Sequence, residues 1–150
     1  MSTPQMKDEE LVRQLATEIR LLEGSVSALQ SRLEIVRGAI NEVTLAHATL
    51  TGLATMQDGD ETLVPAGAGS YIRMKLADSK KLVMGVGAGA AIEKDVPKSL
   101  EELKGRMDEL DQARNSIQQQ LDQTLSRYQQ DREALEELLR SRSGTQQRAS

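Results

Sequence analysis

The sequence predicts a mainly α fold with a small β insert: an antiparallel two-helix coiled-coil hairpin whose helices are joined by two β-hairpins. Three observations predict it. A seam of apolar residues at alternating steps of three and four runs through the first part of the chain. A second seam with the same spacing runs through the last part. Between them lies a glycine-rich stretch with strand-like alternation. Steps of three and four repeat every seven residues, the pattern of the a and d positions of a supercoiled helix pair.

The first seam is Val12, Leu15, Ile19, Leu22, Val26, Leu29, Leu33, Val36, Ile40, Val43, His47 and Leu50, apolar at every position but His47. It assigns residues 1–52 to an N-terminal coiled-coil helix. Met1 to about Leu11 is a polar lead-in, where Thr3 can cap the helix and Pro4 can occupy its first position. Gly24 and Gly38 weaken the helix but fall on its outermost face.

Residues 53–98 read as a β-hairpin insert. Thr62-Leu63-Val64 is β-prone, and Ser70 to Ala77 alternates with Ile72, Met74 and Leu76 on one face. Asp78 to Lys81 is a polar turn, Leu82 to Val86 returns as a strand with Val83 and Met84, and Ala90 to Glu93 forms a fourth with Ile92. Two hairpins with so little apolar surface are marginal alone, and their unpaired edges invite other chains. The insert therefore reads as an oligomerisation platform, carried by Leu63, Val64, Ile72, Met74, Leu76, Val83, Met84, Val86 and Ile92.

Residues 99–142 form the second coiled-coil helix, with the seam Leu100, Leu103, Met107, Leu110, Arg114, Ile117, Leu121, Thr124, Tyr128, Asp131, Leu135 and Leu138. Ser99 with Glu102 three residues on has the form of a capping box, Pro97 blocks extension backwards, and Gly144 reads as a stop. Residues 143–150 read as a flexible tail. Folding the chain back places Val12 against Leu138 and Leu29 against Leu121. Thr124 and Asp131 would weaken the seam in the half furthest from the β unit, so that the arm's end could splay. Met6, Leu11, Val12, Leu15, Leu135, Leu138 and Leu139 meet at that end. Leu11 and Leu139 lie off the seam, and such a patch either caps the coil or holds a partner.

The 150 residues contain no Cys, Phe or Trp, and Tyr71 and Tyr128 are the only aromatics. Disulfides and thiolate metal sites are excluded, and the want of rings fits a seam rather than a globular centre. The net charge of −4 offers no general attraction to nucleic acid or anionic lipid. The polar N-terminal stretch does not read as a secretory signal, and no apolar run is long enough to span a bilayer. His47 is the only histidine and sits on the seam, so it reads as a register residue rather than a metal ligand or triad member. Gly85 to Ala90 fits the dinucleotide pattern GxGxxA but lacks the following helix, and reads more simply as a strand face for close backbone packing.

The run Leu63-Val64-Pro65-Ala66-Gly67-Ala68-Gly69-Ser70-Tyr71-Ile72, continued by Lys75-Leu76-Ala77-Asp78 and by Val83 through Glu93-Lys94-Asp95, resembles the alpha subunits of prefoldin, the archaeal co-chaperone. The family commonly has a larger apolar residue where this chain has Ala66. The resemblance covers roughly residues 10 to 140. It implies a hexamer of two alpha and four beta subunits, built through a double β-barrel body. It implies capture of unfolded polypeptides at the arm ends without ATP, delivery to a group II chaperonin, a cytoplasmic setting, no cofactor and no enzymatic activity. Two other readings stand beside it. One is a structural coiled-coil scaffold without client-holding activity. The other is nucleic-acid binding, which the many glutamates along both helices oppose.

Overall fold

The computed structural model describes residues 3–149. The element order is α1 (Pro4–Ala54), β1 (Glu61–Gly67), β2 (Ser70–Lys75), β3 (Lys81–Gly87), β4 (Ala90–Asp95) and α2 (Val96–Arg148). The chain divides into two compact bodies. One comprises the chain up to Arg37 and from Ala113 onward; the other is Gly38–Gln112.

The first body is a pair of helical segments running in opposite directions. Arg142 reaches Glu9, Arg127 reaches Glu18 and the Tyr128 hydroxyl meets Glu23, so residues late in α2 lie against residues early in α1. Leu29, Leu33 and Leu121 form its buried cluster, with Val26 and Ile117 packed on it. Leu29 and Leu121 are the pair that the fold-back places face to face. Every predicted seam position, in both bodies, is buried or half-buried. The seam forms because a heptad-spaced apolar stripe on a straight-chain-rich helix can be covered only by a second such stripe.

Both helices are longer than their sequence signals suggest. Thr3 accepts the Lys7 amide at 3.2 Å and Pro4 opens α1, as the start signal requires. In contrast, α2 begins at Val96, so Pro97 lies inside its first turn, where a missing amide hydrogen costs nothing. Ser99 is therefore not a cap. Its side chain is fully buried within the helix and its hydroxyl has no hydrogen-bond partner. Glu102 instead binds Lys94 of β4 at 2.7 Å. At the other end α2 runs through Gly144 to Arg148. Its last turns carry Ser141, Ser143 and Thr145, each bonded by its hydroxyl to a backbone carbonyl of the preceding turn.

In the second body the insert is two separate two-stranded antiparallel sheets, β1 with β2 and β3 with β4. They share one plan. Val64 pairs with Ile72 as Met84 pairs with Ile92, and each first strand bulges just before its turn, at Pro65/Gly67 and Gly85/Gly87. Gly67 and Gly87 have φ of 97° and 99°, which suits a bulge glycine; the turns follow with Ala68 and Ala88 at φ 51° and 52°. Positive φ at both central turn residues is the arrangement whose twist matches two-residue hairpins. The plan is kept while the charge is reversed: Glu61, Arg73 and Lys75 in the first hairpin correspond to Lys81, Glu93 and Asp95 in the second.

Candidate functional site

The glycine run that fits a dinucleotide pattern is a strand end and turn. Gly85 and Gly87 lie in β3, Gly89 lies in the turn, and β4 rather than a helix follows. Among the described residues no group of three or more His, Cys, Asp or Glu could hold a metal ion. No helix among them is long and apolar enough to cross a membrane. His47 lies half-buried in the seam. Two surfaces stand out, one in each body.

The hairpins of the second body present apolar side chains that nothing in the chain covers. Leu63, Val64, Ile72, Met74, Val83, Val86 and Ile92 are all exposed, Val83 at 74 %. Leu76 and Met84 are half-buried. Cross-strand pairing puts Thr62, Val64, Ile72 and Met74 on one face of the first hairpin and Leu63, Tyr71 and Arg73 on the other. A two-stranded sheet apolar on both faces lacks the covering layer that such a face requires.

The base of the hairpins is held by polar bonds. Leu76 and Asp60 close the first hairpin, the Leu76 amide donating to the Asp60 carbonyl at 2.9 Å. The Asp58 carboxylate accepts the Ser79 amide at 2.7 Å, and the Lys80 carbonyl accepts the Val96 amide at 2.8 Å. Those bonds from Ser79, backbone first, hold the Asp58 carboxyl below its ordinary range. The Glu102 carboxyl is likewise lowered, by the hydrogen bond from Lys94 and then by its charge. Beside this knot lies an open groove of about 870 Å³ whose lining includes Ala54, Met56, Asp58, Lys80 and Val96.

In the first body the helix ends come together. Met6 is 58 % exposed, and Leu11 and Leu139 remain open as their off-seam positions require. Val12, Leu15, Leu135 and Leu138 are half-buried along the seam. A polar groove lined by residues including Gln5, Asp8, Glu9, Ser141 and Arg142 sits beside them. Sequence patterning did not anticipate the cross-helix contact of Arg127 with Glu18 at 2.6 Å, because such pairs need the register between two distant segments.

Two long helices with two small antiparallel β-hairpins between them define a coiled-coil hairpin class of protein. The prefoldin subunit family profile matches residues 22–141. The chain is 30 % identical over 119 residues to prefoldin subunit alpha of Methanopyrus kandleri, covering 77 % of this chain and 76 % of the relative. It is 35 % identical over 103 residues to prefoldin subunit alpha 1 of Thermococcus kodakarensis, covering 69 % and 70 %. Prefoldin subunit alpha of Methanococcus aeolicus is 28 % identical over 137 residues, 91 % of this chain and 92 % of that one. A chain in the cryo-EM structure of filamentous PFD from Methanocaldococcus jannaschii is similar at a TM-score of 0.48 and 23 % identity, covering 81 % of this chain and 95 % of that one. The chain belongs to the prefoldin subunit family, a family of chaperone co-factors not known as enzymes.

Proposed function

We infer that this chain is an alpha-type subunit of a cytoplasmic prefoldin of two alpha and four beta subunits. The complex holds non-native polypeptides without ATP and passes them to a group II chaperonin. Assembly falls to the hairpins, through Leu63, Val64, Ile72, Met74, Leu76, Val83, Met84, Val86 and Ile92. Client holding falls to Met6, Leu11, Val12, Leu15, Leu135, Leu138 and Leu139. The observation that carries the reading is the exposed apolar character of both hairpins in a chain of this family. Surface of that kind is a binding surface or a hazard.

The physics is capture by area. A side chain such as Leu139 gains roughly 1.5–3 kcal/mol if a client buries it fully, and less if it is only partly covered. Several such ends acting on one client multiply weak contacts into useful retention while each stays easy to release. No step calls for a nucleotide or a metal.

The test is to mix the chain with a beta-type prefoldin subunit and measure the mass of the complex. Aggregation of a chemically unfolded client is then followed by light scattering, without ATP. Deleting residues 1–15 and 134–150 is expected to abolish suppression while the complex still assembles. Suppression that survives the deletion overturns the client-holding assignment and leaves a scaffold.

A further inference from the structure

We propose that Asp131 is a built-in weak point of the helical pair. It lets the paired helix ends beyond it separate, and that separation turns Val12, Leu15, Leu135 and Leu138 from seam residues into client-contacting ones. The inference rests on the client-holding reading above.

Asp131 occupies a seam position and is 7 % exposed. One of its carboxylate oxygens is buried without a hydrogen-bond partner. The other faces the Arg127 Nε at 3.6 Å, beyond hydrogen-bond length, and the same guanidinium gives its short contact, 2.6 Å, to Glu18 across the seam. A buried carboxylate that is only half satisfied favours any state that lets water reach it. Opening the helix ends supplies that water, whereas a leucine here would lose by the same opening.

The neighbouring residues set the direction. Toward the middle of the body stands the apolar cluster of Leu29, Leu33 and Leu121, which resists separation. Between it and Asp131 lies Thr124, whose hydroxyl is turned back to the Gln120 carbonyl at 2.7 Å rather than packed as an alkyl group. Toward the helix ends a charged tie lies at the surface. The Arg142–Glu9 pair spans 3.5 Å at the surface. Ser141, Ser143, Gly144 and Thr145 are all weak helix formers. A zipper with a firm centre, a polar tooth and a weak end opens from that end and stops at the tooth. The four half-buried apolar residues lie within the stretch released.

The experiment is amide hydrogen exchange on the assembled complex, paired with the light-scattering assay, for three variants. Asp131→Leu is expected to slow exchange of residues 5–18 and 133–145 by about tenfold or more, with residues 26–36 unchanged, and to weaken aggregation suppression. Asp131→Asn should fall between it and the native chain. Arg127→Met, which strips Asp131 of its remaining partner, should quicken exchange in the same segments. Unchanged exchange in Asp131→Leu overturns the weak point, whatever the chaperone assay reads. Slowed exchange with suppression undiminished overturns its link to client capture. A native complex that suppresses no aggregation removes the underlying reading instead, and the exchange data tell the two failures apart.

Discussion

The helical seam and the hairpins of this chain treat their apolar residues in opposite ways. In the paired helical segments Leu29, Leu33 and Leu121 find one another within the chain. In the hairpins Leu63, Ile72 and Val83, equally apolar, find nothing. The hydrophobic gain is the same per unit area in both places, so the difference lies in whether the chain completes the contact. A heptad stripe meets its complement when the chain doubles back. A two-stranded sheet cannot cover two faces with itself. The contrast marks where self-sufficiency ends, and substitutions can sharpen or erase it.

The largest effect falls in the helical pair. Leu33→Ala, at a residue 4 % exposed, should cost about 2–4 kcal/mol in urea unfolding followed by circular dichroism, through lost transfer energy and the cavity left behind. Ile72→Asp should change that unfolding by no more than about 0.5 kcal/mol, since its site is open to solvent, yet abolish the inferred assembly with a beta-type subunit. If Ile72→Asp unfolds the helices as Leu33→Ala does, the hairpins are part of the same core and the comparison breaks. Gly24→Ala should raise stability by about 0.5–1 kcal/mol, because an added methyl meets only open space and the helix gains propensity.

A smaller effect follows pH. Folding lowers the Glu102 carboxyl below its ordinary 4.5, so the tie to Lys94 is fully present above that value and is lost as pH falls through the lowered one. Nuclear magnetic resonance titration should therefore show the amides around Lys94 shifting at acid pH. Glu102→Gln should remove the shift and leave the helical pair unaffected. Least of all, Arg132→Ala, which loses an exposed pair with Glu136, should alter stability by less than about 0.5 kcal/mol.

The seams and hairpins were legible in the sequence because period and strand alternation are properties of neighbours along the chain. The helix ends were less so. Ser99 and Glu102 have the spacing of a capping box, but Lys94 outcompetes the local bond, and Asp95 rather than Ser99 precedes the first turn. Gly144 has the look of a stop, yet a lone glycine without a following breaker only weakens a helix. The shared plan of the two hairpins was hidden because their strands share few residues beyond Gly-Ala-Gly. Among the inferred client-binding residues, Leu11 and Leu139 could be read as open from their off-seam positions. The half-satisfied state of Asp131 depends on where Arg127 and Glu18 meet, which no spacing within one helix encodes.

The sign reversal between the hairpins has its own consequence. Where one has Glu61, Arg73 and Lys75, the other has Lys81, Glu93 and Asp95 on nearly the same backbone. A surface whose charges complement one of them meets like charge at all three places on the other. If the hairpins dock as inferred above, two sites that shape alone would confuse are given separate addresses, and a wrong match is penalised before it can settle.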